Sequence, residues 1–290
     1  MELFDGYWIQ LVLKTVGVLL VVLTGALVVI YAELKIGSHM QSRIGPYYAG
    51  GRWGWAQPLA DGLKFLQKED LAPKTADRTV YGYAPYVVLM ATIGVFVVIP
   101  FGPDLVGANL DVGAFYVLAI SSLSVLGVLM AGWASGNKYS LIGGLRAAAQ
   151  LIAYELPLVL AVVAVVIQAG TMSLTGIVEA QAQAIWTIGG IEIALPYLFT
   201  GQILGFAIFM VAAVAELSRI PFDMPIAESE LTMGYLTEYS GIRFTMFFLG
   251  EYADMFVVSA LAVTAFLGGW YTGIPFIDAW APAPLIFIVK

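Results

Sequence analysis

AAAQLIAYELPLVLAVVAVVIQA, residues 147–169, carries one charged side chain, Glu155, in 23 residues. A helix of about 20 apolar residues crosses the hydrocarbon core of a bilayer. Outward from this stretch, the runs at 9–33, 82–101, 112–133, 193–215 and 244–270 meet the same measure. A seventh apolar run, LIFIV, begins after Pro284, and the sequence stops at Lys290 before it could cross. The runs are too long and too uniformly apolar for alternating barrel strands, so helices are the expected spanning elements. The expected fold is therefore an all-α polytopic membrane protein with six complete transmembrane helices and the start of a seventh. We find neither an internal repeat nor a low-complexity segment, so residues 1–290 are expected to form a single membrane domain.

Composition agrees: 60% of residues are apolar and 11% charged, with a mean hydropathy of +0.89, values typical of membrane proteins. The net charge of −7 then says little about ligands, and nothing points to nucleic acid. With no cysteine and one histidine, His39, the chain offers no disulfide, iron–sulfur cluster or histidine-rich metal site. An electron carrier must come from another subunit or as a ligand. The N-terminus MELFDGYW has two acids and no basic residue, unlike a cleaved signal peptide.

Basic residues set the expected topology. Lys35, Arg43, Arg52, Lys64, Lys68, Lys74 and Arg78 lie in the first loop, Lys138 and Arg146 in the third, Arg219 and Arg243 in the fifth. The second, fourth and sixth loops have none. This alternation places the odd loops in the cytoplasm and the N-terminus outside. Long cytoplasmic loops then follow the first and fifth helices.

In the first of these, residues 57–70 read as a helix with Leu59, Leu63 and Leu66 on one face, and Asp61 and Lys64 spaced to pair. Trp53 and Trp55 suit a membrane–water boundary. Two readings stand open: a surface amphipathic helix, or the rim of a pocket that admits an amphipathic molecule. The second long loop, the fifth in chain order, holds Glu216, Asp223, Glu228, Glu230 and Glu238 against Arg219 and Arg243. Glu216 and Arg219 have the same i,i+3 spacing, and Pro221 and Pro225 are expected to stop the helix. Such crowded acids suit proton uptake; a merely structural acidic loop is the alternative.

Charges also fall inside the spans. Glu155 lies about two turns in from the cytoplasmic end of its span, Glu33 closes the first, and Glu251 and Asp254 share a face of the sixth. A charged acid near the bilayer centre costs about 2.5–3.5 kcal/mol. Either each is neutralised or snorkels to an interface, or together they line a polar interior path. Gly132 and Gly136, or Gly201 and Gly205, fit close helix packing. SGNKYSLIGGLR lacks the order of a phosphate-binding loop.

Four blocks carry a family likeness: QSRIGPYYAGGRWGWAQPLADGLKFLQKED, AGWASGNKYSLIGGLRAAAQLIAYELPL, AELSRIPFDMPIAESELTMGYLTEYSGIRF and FFLGEYADMF. In them the chain resembles the quinone-site membrane subunit of respiratory complex I, the H subunit of the bacterial enzymes and the first mitochondrially encoded subunit of animals. The resemblance implies a subunit of a proton-pumping NADH:quinone oxidoreductase. It implies ubiquinone, menaquinone or plastoquinone as substrate, and no metal or flavin bound by this chain. Asp61, Lys64 and Arg43 would line the quinone tunnel, and the quinone-binding Glu216 and Arg219 would begin the acidic funnel that joins it to the membrane. Glu228 and Glu230 would continue the acidic funnel, and Tyr235, Glu155, Glu251 and Tyr252 the proton path. Implied partners are soluble redox-arm subunits carrying iron–sulfur clusters, small membrane subunits leading to antiporter-like ones, and the lipid bilayer. A bacterial plasma membrane is the expected location, with thylakoid or mitochondrial inner membranes as further settings.

The likeness has departures. Leu34 stands where the family has a basic residue, Ser122 and Ile226 where it has glutamates, and Leu236 where it has histidine. The family also continues for one or two spans beyond Lys290, so a shortened sequence is expected. Two other functions fit the same residues: the coupling subunit of an energy-converting hydrogenase, and a stand-alone ion carrier, the latter disfavoured because no inverted repeat is present.

Overall fold

The computed structural model describes residues 2–103, 105–183, 186–188, 191–273, 278 and 281–290, with 2–7, 10–11, 186–188, 191–193 and 228–229 described by their backbone alone. Its elements are helices α1 (Glu2–Met40), α2 (Gln57–Gln67), α3 (Arg78–Phe96), α4 (Gly113–Ser121), α5 (Leu123–Ala134), α6 (Lys138–Ala169) and α7 (Leu174–Ala182). A short hairpin of β1 (Trp186–Ile188) and β2 (Ile191–Ile193) follows, then α8 (Ile203–Glu216), α9 (Glu228–Leu231), a 3-10 turn at Gly234–Leu236, α10 (Gly241–Phe266) and α11 (Ala283–Val289). The hairpin is antiparallel, with Trp186 opposite Ile193. It is a small exception to the all-helical expectation.

Among the described residues, five helical stretches are long and apolar enough to span a bilayer: Val12–Met40, Arg78–Phe96, Gly113–Ala134, Lys138–Ala169 and Gly241–Phe266. They turn apolar side chains outward. On α6, Ile152, Leu156, Leu160, Val163 and Ile167 form an exposed stripe, and on α1 Val12, Leu13, Val16, Leu20, Leu23 and Val28 are exposed. Such surface is costly against water and natural against acyl chains. The chain is an integral membrane protein.

The stretch expected as the fifth span behaves differently. Helix α8 has 14 residues, about 21 Å at 1.5 Å per residue, against a core of about 30 Å. Pro196 precedes it, and Gly201 takes a left-handed φ of 117°, so the apolar run is broken before the helix starts. The third expected span, by contrast, is one helical stretch, Gly113–Ala134, in which Ser122, between α4 and α5, keeps helical backbone angles of φ −61° and ψ −20°.

Helices α1 and α8 end by the same device. Ser42 and Ser218 adopt φ of 57° and 51°. The amides of Ser42 and Arg43 donate to the carbonyls of His39 and Ser38, and those of Ser218 and Arg219 to Ala215 and Val214. This is the Schellman pattern, which satisfies orphaned carbonyls at a helix C-terminus. The tripeptide Ser-Arg-Ile recurs at both ends, 42–44 and 218–220. Helix α8 therefore stops at Glu216, ahead of Pro221, and Arg219 lies beyond the helix instead of one turn along it. The expected i,i+3 helical relation of Glu216 and Arg219 is corrected accordingly.

The chain divides into two compact units. The first comprises Met1–Ile93, Leu123–Ala148 and Met224–Phe256. Its core holds Val22, Ala26, Tyr81, Ala84, Val88, Ala131, Ala134 and Phe247, all buried. Helix α5 meets α6 closely, since a Cβ on Gly132 would lie 2.9 Å from the Gly144 Cα; Gly201, by contrast, faces open space. Asn137 caps α6, its side-chain oxygen accepting from the Tyr139 amide at 2.9 Å. The second unit comprises Gly94–Ser122, Ala149–Asp223 and Val257–Lys290. Phe209 and Phe266, both fully buried, pack with ring centroids 5.4 Å apart. The buried Gln181 ties it together, donating to the Thr264 carbonyl at 2.8 Å and accepting from the Tyr197 amide at 3.1 Å.

Candidate functional site

In the first unit the end of α1, the loop after it and α2 enclose a pocket of about 320 Å³ lined by Leu34, Ser38, Arg43, Gly45, Pro46, Gln57 and Asp61. The loop is fixed from α1: the Lys35 ammonium donates to the Pro46 carbonyl at 2.6 Å, and the Tyr31 hydroxyl to the Trp53 carbonyl at 2.8 Å. On α2, Asp61 accepts from the Gln57 amide at 3.2 Å on each oxygen and from Lys64 at 3.3 Å. The pairing read from the i,i+3 spacing is thus present. The Lys64 ammonium remains exposed and is not part of the pocket wall. One cation, Arg43, and one carboxylate, Asp61, share the lining with the polar Ser38 and Gln57 and the apolar Leu34, Gly45 and Pro46. Leu34, the departure at the end of the first span, forms part of that wall.

The acid loop in this unit is packed against α3, α6 and α10. Glu230 pairs with Arg146 at 2.7 Å, and the Asn137 amide donates to Glu238 at 2.5 Å. The Tyr81 hydroxyl donates to the Glu238 carbonyl at 2.7 Å, while the Tyr239 hydroxyl donates to the Tyr81 carbonyl at 3.1 Å; the two rings stack at 4.2 Å. Close backbone approach makes this possible: a Cβ on Gly143 of α6 would lie 2.5 Å from the Gly234 Cα. Tyr235 packs edge-on to Phe247 at 5.7 Å. Burial first, then the carboxylates of Glu251 and Asp254, hold its phenol well above the ordinary tyrosine range. Burial does the same for Tyr239. Both stay protonated and can donate hydrogen bonds. Asp254 in turn is bonded to Thr92 of α3, and Tyr252 is buried against Phe248 at 4.7 Å.

The comparisons with known proteins decide the family. A family described as NADH dehydrogenase matches residues 13–290. The chain is 45% identical over 275 residues to the H subunit of NADH-quinone oxidoreductase from Anoxybacillus flavithermus, covering 95% of this chain and 78% of the relative. It is 49% identical over 241 residues to the protein of the same name in Bacillus mycoides, covering 83% and 69%. It is also 46% identical over 261 residues to its namesake in Geobacillus kaustophilus, covering 90% and 74%. The chain belongs to the NADH dehydrogenase family.

Against the residues expected from that family likeness, the structure places Asp61 and Arg43 on one pocket and Lys64 beside it. Glu230, Tyr235, Glu251 and Tyr252 lie in the same unit as that pocket, with Tyr235 within electrostatic reach of Glu251. The Glu228 side chain lies outside the described residues. Glu216, Arg219 and Glu155 belong to the second unit, each half-buried. There Gln150 clamps the end of α8, donating to the carbonyls of Ala215 and Phe222 at 2.7 Å each, and Tyr154 packs edge-on to Phe222 at 5.2 Å. Two of the five loop acids, Asp223 and Glu230, are exposed. Sequence reading did not single out Gln57 or Arg146, which here bond to Asp61 and Glu230. Gln57 was legible from its i,i+4 spacing to Asp61; Arg146 was not, being 84 residues from Glu230.

Proposed function

We propose that this chain is the quinone-site membrane subunit of a proton-pumping NADH–quinone oxidoreductase. It forms one wall of a quinone tunnel and part of the acidic funnel that couples quinone reduction to ion translocation. The observation that carries the reading is the pocket bounded by Arg43 and Asp61, in a chain whose relatives bear that enzyme's name. Reduction of a quinone takes two electrons and two protons and yields the quinol. Electrons arrive from an iron–sulfur cluster in a soluble redox-arm partner. The Arg43 guanidinium favours the anionic head group that electron arrival creates. Asp61, oriented by Gln57 and Lys64, holds the local field, and a change of charge there is felt by the carboxylates of the funnel.

In this reading Glu216, Arg219, Glu228 and Glu230 make up the funnel, and Tyr235, Glu251, Tyr252 and Glu155 continue it toward small membrane subunits and the antiporter-like subunits. Tyr235, held protonated, serves as a hydrogen-bond donor in that path. Residues 1–290 act as one membrane domain, with the N-terminus outside and residues 34–81 and 215–244 on the cytoplasmic face of a bacterial plasma membrane. The relatives' shared name favours this function over a hydrogenase subunit or a lone ion carrier.

The test is Asp61→Asn in the assembled complex. Quinone reduction by inverted membrane vesicles should be lost, while NADH oxidation by ferricyanide, which bypasses the quinone, persists. Wild-type quinone reduction in this variant and in Glu216→Gln would overturn the reading.

A further inference from the structure

Helix α2 carries Asp61 and Gln57 yet has almost no core of its own: of its 11 residues only Pro58 is buried, and Leu59, Leu63 and Leu66 are exposed. A helix this short is marginal alone, so its position depends on what holds its ends. The C-terminal end runs directly into residues 68–71, which are fastened to the start of α10. The Ser240 hydroxyl accepts from the Leu71 amide at 3.0 Å and donates to the Glu69 carbonyl at 3.3 Å. Asp70 pairs with Arg243 at 3.2 Å, and Phe65 packs on Phe244 at 5.4 Å. Gly241, with φ of 57°, admits this approach, since a Cβ there would lie 3.0 Å from the Lys68 carbonyl oxygen. Arg243 is itself held, its guanidinium 5.2 Å from the ring centre of the fully buried Tyr81. An arginine fixed in this way loses little further side-chain freedom when it pairs.

We propose that Arg243 and Asp70 are positioning residues for the quinone pocket. Their ion pair fastens α2 to the first turn of α10 and so sets where Asp61 and Gln57 stand in the pocket wall. The inference rests on the quinone reading above. It also makes the pocket helix and the helix bearing Glu251 and Asp254 a mechanically joined pair.

The experiment uses inverted vesicles carrying the whole complex, with NADH as donor and decylubiquinone or a short-chain menaquinone analogue as probe. Arg243→Gln and Asp70→Asn should each raise KM for the probe about fivefold, equivalent to about 1 kcal/mol, with a smaller fall in kcat. Arg243→Lys, which keeps a cation over Tyr81, should return KM to within about twofold of wild type. A purely structural role would instead lower the ferricyanide rate and kcat together and leave KM alone; that pattern overturns the proposal. If Arg243→Gln does not assemble, recovery of assembly and KM in Arg243→Lys supports it, and no recovery refutes it. Asp61→Asn run alongside separates the two ideas. Its loss of quinone reduction beside silent Arg243 variants sinks the clasp alone, whereas a silent Asp61→Asn sinks the quinone reading.

Discussion

Replacing Gly143 by alanine puts one methyl group between α6 and the acid loop. Its Cβ would stand 2.5 Å from the Gly234 Cα and 2.7 Å from the Tyr235 amide nitrogen, where carbon contacts settle at about 3.5–4.0 Å. All three nearest atoms are backbone, so no side chain can swing aside and the segments must part by about 1 Å. Overpacking of this kind costs about 1–3 kcal/mol, while alanine in a helix recovers about 1 kcal/mol over glycine. The expected net loss is about 0–2 kcal/mol, with Tyr235 displaced from Glu251 and Asp254. Gly234→Ala should be worse. Its φ of 55° costs an L-residue about 1–2 kcal/mol, and its Cβ would overlap the Pro225 carbonyl oxygen. Gly82, on α3 with nothing within 4 Å of a Cβ, is the control and should be neutral or slightly stabilised as alanine. Thermal denaturation of the purified complex, with protons moved per NADH oxidised in vesicles, orders the three. A Gly143→Ala complex as stable and as well coupled as Gly82→Ala would refute the close approach and the argument built on it.

Two further outcomes follow from the loop geometry. Ser218→Gly should raise stability by about 0.5 kcal/mol, because relief of the left-handed strain outweighs the greater freedom of glycine in the unfolded chain; a lower melting temperature would contradict the Schellman end of α8. Tyr235 has a raised folded pKa, so its contribution to stability is complete below its ordinary value of 10.0 and is lost as pH rises above that value. Tyr235→Phe should therefore lessen the fall in melting temperature between about pH 10 and 11, and an unchanged slope would show that the phenol is not shielded.

Membrane spans were legible because one variable, apolar length, governs them, and a charge such as Glu155 does not interrupt it. The same criterion misjudged 193–215, where Pro196 and Gly201 punctuate an apolar run that hydropathy alone reads as continuous. At the site, local geometry was legible: Asp61 and Lys64 pair across one helical turn because sequence spacing fixes their distance. Pairings set by tertiary packing were not. Nothing in the spacing joins Glu230 to Arg146, Asp70 to Arg243 or Tyr81 to Tyr239. The acid-rich stretch also proved less uniform than its sequence, since residues 215–223 and 224–244 belong to different units.

The two Ser-Arg-Ile helix ends have an electrostatic corollary. Each helix terminates in roughly half a unit of negative charge, from the summed peptide dipoles, and each is followed at once by an arginine, Arg43 or Arg219. Both cations thus sit at a negative pole built into the backbone, and part of their field is cancelled before any anion approaches. Any anion that approaches either arginine therefore meets softened, not bare, positive charge.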